Sequence, residues 1–449
     1  MRSSSEAKSP MRWSNFTRSF SDFISKLSCS TLSKHPSDSF ATPRRTTISH
    51  PKQLRRVIPN SPLSPHPIGQ LPVELIAYIF DIGSQDDTSF PVIVSHVCRE
   101  WRDISLNTPS LWRHITLGPN ELGCRKRLRR AKAHPLDIKL SSSATESRHN
   151  QFHVMNMYAA NRYMGMVKPY THQWRSLDIH FAQYASHLWQ VGLANCASPA
   201  PQLEEFSLVY RLNDDIQEFS LFDGYAPRLR RVTIDGIRLE WAPSLFTNLT
   251  FLDYSHHGFT SGNSAVHDVI NILSVSAQLV ELRILFPRGR TPRLPATSEA
   301  VTTVVNLPQL SRLSLRVDGS DIPFELAHLV TLINAPSLTT LHLTDLRRSH
   351  RAFPSIKSFF YVYALPRTLR LISVSHGWYD PRMVQALYQA LPRLAHIHVK
   401  RTRAPEQVLD LKPPIREVPS RRAKRGSHGP NRYENPHSNL SYSSGRVHS

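Results

Sequence analysis

One spacing of apolar residues, repeated nine times along the chain, constrains the fold more than any other feature. In each copy, an apolar residue is followed by two others, three and five residues later, and the first positions lie 20 to 31 residues apart. The alternation at the end of each copy predicts a short strand with one buried face. Regular recurrence predicts one long shared core rather than two globules. The copies are Trp174/Leu177/Ile179, Leu203/Phe206/Leu208, Leu229/Val232/Ile234, Leu249/Leu252/Tyr254, Leu279/Leu282/Ile284, Leu310/Leu313/Leu315, Leu338/Leu341/Leu343, Leu369/Ile372/Val374 and Leu394/Ile397/Val399.

This period matches leucine-rich repeats, in which each unit is a strand plus a helix or helical turn. Helical spacing occurs between the strands, at residues 266–275, 324–333 and 383–391. Two earlier strands are predicted at Trp112/Ile115/Leu117 and Leu136/Ile138/Leu140. The predicted fold class is therefore α/β, with a small helical module followed by an irregular leucine-rich-repeat solenoid of strand-plus-helix units. An ordinary α/β domain with strand-helix alternation is the structural alternative.

Two details make the predicted repeats irregular. Several units open with a proline that is predicted to end the preceding helix, as in Ala200-Pro201, Ala226-Pro227, Leu307-Pro308, Ala335-Pro336 and Leu391-Pro392. The position at which leucine-rich repeats carry asparagine or cysteine holds other residues, so no asparagine ladder is expected. Those residues are Arg211, Ile237, His257, Pro287, Asp318, Leu346, Gly377 and Thr402.

The segment before the repeats predicts a small helical module. Pro72 suits a first helical turn, and Leu75, Ile76, Ile79 and Phe80 form one apolar stripe. A second helix is predicted across residues 90–104, where apolar residues recur at helical spacing. Fewer than about 50 residues bury only a small core, so surplus apolar surface indicates docking to a partner.

Four motifs in this module resemble the F-box, particularly the versions common in fungi: Leu71-Pro72-x-Glu74-Leu75, Ile79-Phe80, Val97-Cys98-Arg99-x-Trp101-Arg102 and Thr108-Pro109-x-Leu111-Trp112. The resemblance implies binding to the Skp-type adaptor of a cullin-RING ubiquitin ligase. It also implies which residues face the adaptor or support that face: Leu71, Pro72, Leu75, Ile79, Val97 and Trp101. For Phe80 and Ile104, ordinary core packing is expected.

The net charge of +21 is concentrated at the ends of the chain. Residues 1–67 carry +8 and residues 400–449 carry +7, which leaves +6 for the 332 residues between them, too little for a nucleic-acid-binding stripe.

The predicted domains are a disordered basic tail at 1–67, the F-box module at 68–117, the repeat solenoid at 118–412 and a second disordered tail at 413–449. Within the tails, residues 13–27 are amphipathic and residues 421–425 are basic. The first segment predicts a transient helix or docking segment, with a transit peptide or membrane-surface helix as alternatives; the second predicts an import signal or a solvated tail.

No motif for catalysis, nucleotide binding or a zinc protease occurs, so no enzyme activity and no cofactor are expected. His256-His257 and His396-x-His398 lack further ligands nearby in sequence, which predicts surface or strand histidines rather than a metal site. The four cysteines are far apart, and no apolar run of about 18 residues occurs. These features predict a protein of the cytoplasm or nucleus without a transmembrane segment.

Together these observations predict a substrate-recognition subunit of a Skp-cullin-F-box type ubiquitin ligase. The alternatives are a non-degradative repeat scaffold, or a nucleic-acid-associated protein acting through its basic tails. If outward strand positions bind a protein substrate, the candidate contacts are Glu205, Arg231, Asp253, Arg283, Arg312, Arg316, His342, His396 and His398.

Overall fold

The computed structural model describes residues 67–142, 156–184, 194–287, 294, 300–391, 393–400 and 407–410. All of them belong to the first of two compact units, residues 1–411. The amphipathic segment 13–27 and the basic cluster 421–425 lie outside the described residues. The predicted domain boundaries stay predictions.

The described residues contain ten α-helices and fourteen strands, besides short 3-10 helices. The helices are α1 (Val73–Asp86), α2 (Phe90–Val94), α3 (Arg99–Asn107), α4 (Glu121–Ala131), α5 (Met157–Val167), α6 (Pro243–Phe246), α7 (Gly262–Val275), α8 (Phe324–Thr331), α9 (Ile356–Val362) and α10 (Pro381–Ala390). The strands are β1 (His114–Leu117), β2 (Leu136–Ser141), β3 (Trp174–His180), β4 (Glu205–Val209), β5 (Arg231–Asp235), β6 (Phe251–Ser255), β7 (Glu281–Pro287), β8 (Val305–Asn306), β9 (Arg312–Asp318), β10 (Ile333–Asn334), β11 (Thr340–Asp345), β12 (Leu371–Ser375), β13 (His396–Lys400) and β14 (Gln407–Asp410).

Twelve strands form one sheet in the order of the chain, β1 to β7, then β9, β11, β12, β13 and β14. Every neighbouring pair is parallel except the last, in which β14 pairs antiparallel to β13. Strands β8 and β10 form a separate two-stranded parallel sheet. Each of the nine apolar copies ends in one strand of the large sheet, so the strand predictions are confirmed, and the two earlier strands are β1 and β2. Sequence reasoning missed β8, β10 and β14, which are short or lie outside the repeat.

The register of the sheet aligns the buried residues of successive copies. Phe206 pairs with Val232 and Val232 with Leu252, while Leu208 and Ile234 form the second buried row. All five are at most 3% exposed. Burying an aliphatic or aromatic side chain stabilises a fold by about 1.5–3 kcal/mol, so each strand that adds to these two rows contributes to the stability of the sheet.

A turn before each strand fixes where the strand begins. The first apolar residue of a unit donates its backbone N–H to the carbonyl three residues earlier, as Leu203 does to Ala200 at 3.1 Å and Leu338 to Ala335 at 3.2 Å. The next residue donates to the preceding unit, so Glu204 donates to the Arg175 carbonyl at 2.8 Å. Each unit therefore enters the sheet already hydrogen-bonded to its neighbour.

The predicted role of the unit-opening prolines is wrong for Pro308 and Pro336, whereas α10 does end at Ala390, just before Leu391-Pro392. Pro201 and Pro336 are the second residues of these turns, a position that the fixed proline φ favours. The residues before Pro308 and Pro336 belong to strands β8 and β10 or directly follow them, not to helices. The helix predicted at 324–333 accordingly ends at Thr331, two residues early.

The N-terminal helical module, residues 67–112, contains three α-helices rather than the predicted two. The stretch predicted as one helix, 90–104, breaks between α2 and α3 because the Cys98 Sγ accepts the Trp101 N–H at 3.4 Å and so begins a new helix. The Arg102 guanidinium donates to the Ser95 carbonyl at 2.8 Å, and Ser95 is buried. Trp101 packs edge-on against Phe80 with ring centroids 5.0 Å apart, which makes this pair the centre of the module.

The expected absence of a regular asparagine ladder is matched by different hydrogen bonds at different turns. The buried Asn213 amide donates to the Gly236 carbonyl at 3.1 Å. Farther along, the Asp345 carboxylate, which is 2% exposed, accepts backbone N–H groups from Arg347, Ser349 and Gly377. Different side chains at these turns therefore form the hydrogen bonds to buried backbone groups that a repeated asparagine would form in a regular array.

Candidate functional site

Four apolar side chains of the N-terminal module remain exposed to solvent, in the first half of α1 and just before it. Leu71, Leu75 and Tyr78 are 36%, 49% and 64% exposed, and Val73 is 52% exposed. Leu75 and Tyr78 are three residues apart and so share one face of α1. We call these four residues the apolar docking surface.

The other face of α1 builds the module core. Ile76 and Phe80 are almost fully buried, and Phe80 contacts both Trp101 and Phe90. Gly83 permits this packing, because a Cβ there would lie 2.5 Å from the Phe90 ring. One face of α1 is thus buried in the module core, whereas the apolar docking surface stays exposed to solvent and can bind a partner.

A second surface is the side of the large sheet opposite its hydrophobic core, which we call the polar face. Alternate strand residues point there, and most are polar and partly exposed. The register sets Glu205 beside Arg231, Asp253 beside Arg283 and Glu281 beside Arg312. The polar face therefore collects charges from strands that are distant in sequence.

Ion pairs connect most of these charges. Arg283 lies 2.6 Å from Glu281 and 3.7 Å from Asp253, and Arg312 contacts Glu281 at 3.2 Å. Arg316 pairs with Asp253, and both side chains are less than 20% exposed. At the edge of the network, Arg231 and Glu205 are 3.2 Å apart and about half exposed.

Phe251 lies between the two halves of this network. The guanidinium groups of Arg231 and Arg283 lie 4.3 Å and 5.0 Å from the centre of its ring. Stacked and paired arginines lose part of their freedom to bind a ligand, because their donors and charge are already engaged. Of the arginines in the network, Arg312 and Arg231 are the most exposed, at 55% and 51%.

On the polar face, β11 and β13 carry histidines. His342 and His398 lie in one row across the sheet, on either side of Ser373 of β12. Burial lowers the pKa of His342, so its imidazole is neutral at neutral pH. His396 is exposed at the start of β13.

A depression of about 410 Å³ lies on the polar face over strands β1 to β6. Small side chains form much of its lining, and Thr88 from the loop between α1 and α2 adds to it. Asp178, also in the lining, makes no ion pair or side-chain hydrogen bond with another described residue. The other lining residues are His114, Ile115, Thr116, Asp137, Ile138, Lys139, Ser176, Leu177, Glu205, Phe206, Ser207, Arg231, Thr233 and Phe251.

Comparison with protein families assigns the helical module. Residues 68–118 match the family model described as F-box-like. These residues form an F-box-like domain. The match covers the first helices and strand β1 of the sheet and no further part of the chain. A search of curated proteins gives no match.

The residues that the sequence assigned to adaptor binding fall into two groups in the F-box-like domain. Leu71, Pro72 and Leu75 are exposed, and Ile79 and Val97 are partly buried. Trp101 is 6% exposed and packs in the core, as Phe80 and Ile104 do, so it supports the surface from below. Their contact with an adaptor stays a prediction. Sequence reasoning missed Val73 and Tyr78, whose exposure depends on which face of α1 is buried.

The residues that the sequence assigned to substrate binding all lie on strands of the polar face. The structure brings Glu205, Arg231, Asp253, Arg283, Arg312 and Arg316 into one network. Their binding to a substrate stays a prediction. Sequence reasoning missed Glu281 and Phe251, which join the network, and Asp178 in the depression; their outward strand positions were the available signal.

The expectation for His256 and His257 as surface or strand histidines is wrong. Both are 2% exposed, directly after β6, and their Nε2 atoms lie 3.3 and 3.4 Å from the Asp268 carboxylate on α7. Thr260 donates to the same oxygen at 2.9 Å. Burial lowers the pKa of His257 to about 4. Although burial opposes it, hydrogen bonding from both imidazoles holds the pKa of Asp268 well below its usual range.

Two imidazoles and one carboxylate within 4.8 Å have the donor types of a metal site, but their hydrogen bonds oppose that role. The Nδ1 atoms of His256 and His257 accept backbone N–H groups from Gly258 and Phe259 at 3.1 and 3.0 Å. An Nδ1 that accepts carries no proton, so Nε2 carries it and donates to Asp268. A metal at Nε2 would displace the remaining ring proton. The arrangement therefore favours a structural hydrogen-bond cluster.

None of the helices in the described residues is long and apolar enough to cross a bilayer.

Proposed function

We propose that this chain is the substrate-recognition subunit of a Skp-cullin-F-box type ubiquitin ligase. The observation that carries the proposal is the F-box-like domain with its apolar docking surface. F-box domains generally bind Skp-type adaptors. Burial of Leu71, Val73, Leu75 and Tyr78 against an adaptor would remove apolar area from water and so favour docking.

In this proposal the large sheet belongs to an irregular leucine-rich-repeat-like solenoid, and its polar face binds the protein substrate. Support comes from the strand-by-strand repetition of the apolar spacing and from the parallel order of the strands. The depression lies at the end of the polar face nearest the F-box-like domain, since Thr88 contributes to its lining. A substrate held there would lie close to the assembly that the domain recruits.

The chain contributes position rather than a catalytic group in this mechanism. A bound substrate is held near the ubiquitin-loaded enzyme that the cullin carries, and its effective concentration at that enzyme rises. The proposal places the protein in the cytoplasm or nucleus, where that machinery acts.

The test is binding of the purified full-length chain to the cognate Skp-type adaptor. The double variant Leu75→Asp/Tyr78→Asp puts two carboxylates on the apolar docking surface without entering the core. A matched control, Tyr361→Asp, alters a side chain on α9 that is 92% exposed. We expect the double variant to weaken adaptor binding by about 30-fold or more, because loss of the two apolar contacts together costs about 2 kcal/mol or more, and the control to bind as the wild type does.

Failure of the folded wild-type chain to bind the adaptor would refute the proposal. Equal binding by the double variant would refute the apolar docking surface as the contact. Recovery of the adaptor from cells without cullin or a ubiquitylated client would instead indicate a non-degradative scaffold.

A further inference from the structure

Helix α4 carries a concentration of positive charge that the sequence-wide balance conceals. Residues 121–132 contain six Lys or Arg and one Glu. Cys124, Leu128 and Ala131 are buried, whereas Arg125, Lys126, Arg129 and Lys132 are exposed. We call these four cations the basic face. The mean charge of the chain outside the tails therefore understates the positive charge at this helix.

The four cations of the basic face have no ionic partner in the described part of the chain. None makes an ion pair or a side-chain hydrogen bond with another described residue. The single acid of α4, Glu121, pairs with Arg162 on α5 at 2.5 Å. The basic face is thus uncompensated, unlike the arginines of the polar face.

Two other cations of the same helix fix it to the F-box-like domain. Arg127 donates to the Thr88 carbonyl in the loop between α1 and α2. Arg127 and Arg130 also lie over the ring of Trp112, at 5.4 and 4.3 Å from its centre. The basic face is therefore carried on a helix that is attached directly to the domain proposed to bind the adaptor.

Interactions within the helix stabilise only some of the positive charges of the basic face. Cations near a helix C-terminus interact favourably with the helix dipole, which suits Arg129 and Lys132. Arg125 and Arg129 are four residues apart, and like charges at that spacing repel. Arg125 and Lys126 lie before the last turn and gain little from the dipole. A negatively charged partner would relieve this repulsion.

We infer that the basic face binds an acidic protein surface on the partner assembly that docks at the F-box-like domain. The inference rests on the proposed function and adds a second, electrostatic contact to it. A protein is favoured over nucleic acid because the basic face extends only about 10 Å along the helix and Leu122, which is 75% exposed, lies beside it. Such a contact mainly accelerates association and makes it sensitive to salt.

The experiment measures association of the full-length chain with the purified Skp-type adaptor, alone and bound to cullin, between about 50 and about 400 mM NaCl. The variant Arg125→Glu/Lys126→Glu/Arg129→Glu reverses three charges of the basic face. Its matched control, Arg367→Glu/Arg370→Glu/Arg393→Glu, makes the same change in net charge at three exposed residues without ion pairs elsewhere. The variant Arg125→Gln/Lys126→Gln/Arg129→Gln removes the same three charges without reversing them. It tests the inference if the charge reversal unfolds the helix.

We expect the α4 charge reversal to slow association with the adaptor about tenfold at low salt and to flatten the salt dependence of the association rate. The glutamine variant should show a smaller effect of the same sign. The control should change the association rate less than about twofold. Equal salt dependence in the α4 variants and the control would overturn the inference and leave the proposed function standing. Absence of adaptor binding by the wild type would overturn the proposed function and the inference with it. Unchanged adaptor association combined with lost binding of a single-stranded oligonucleotide would overturn it in favour of nucleic acid.

Discussion

Replacement of Asp253 by alanine removes the common partner of two arginines on the polar face. Arg316 pairs with Asp253 and contacts the Ser255 hydroxyl at 3.4 Å, while its Nε is buried without a hydrogen-bond partner. Arg283 lies 3.7 Å from the same carboxylate but keeps Glu281. The substitution therefore leaves the Arg316 guanidinium, whose side chain is 19% exposed, without a counter-charge.

The cost follows from this burial. Removal of one member of a buried ion pair costs about 3–5 kcal/mol, and partial exposure together with the Ser255 contact reduces it to about 2 kcal/mol here. Glu205→Ala breaks a similar Arg–carboxylate pair on the same face, with side chains 57% and 51% exposed. That pair is screened by solvent and contributes about 0.5 kcal/mol.

Urea unfolding followed by tryptophan fluorescence measures both losses, provided that the denaturant slope stays constant between variants. The double variant Asp253→Ala/Arg316→Met removes the stranded charge, and its stability should return to within about 1 kcal/mol of the wild type. Equal losses of stability for Asp253→Ala and Glu205→Ala, or no recovery of stability in the double variant, would refute the reasoning. In that case the paired charges around Asp253 would not differ from the exposed Glu205–Arg231 pair in what they contribute to the fold.

Two further predictions concern buried elements of the fold. Burial lowers the pKa of His257 from 6.5 to about 4. As the pH falls, the unfolded state therefore binds a proton at this residue before the folded state does. The free energy of unfolding is full above pH 6.5 and declines by up to about 3 kcal/mol as the pH falls to about 4. Unfolding measured across that range should show a slope that His257→Gln largely removes, and an unchanged slope would contradict the assignment. Gly236 has φ of +80°, and a Cβ there would lie 2.3 Å from the Tyr210 carbonyl oxygen, so Gly236→Ala should cost about 2–4 kcal/mol. Gly118→Ala, where a Cβ meets nothing within 4 Å, should be nearly neutral by thermal unfolding, and similar losses at the two sites would contradict the argument.

The order and position of the strands could be predicted because the signal is local. Each unit repeats a buried pair two residues apart, as Leu341 and Leu343 do on β11, and alternation on a strand puts its polar residues on the other face. The same reasoning put Arg231 and Arg283 on one surface. It did not reveal that both lie over Phe251, because that contact depends on the register between three strands.

The sequence by itself determined the repeated strands, the helical module with its F-box motifs and the outward positions of the charged residues, because each depends on spacing within a few residues. Only the tertiary structure decided which of these charges are compensated and which stay available. The carboxylates that neutralise the arginines of the polar face come from other strands, whereas the basic face of α4 meets no acid in the described chain. Likewise, His256 and His257 became a buried cluster through Asp268, a residue of the next helix. Charge pairing and burial depend on residues brought together by packing, which no local spacing encodes.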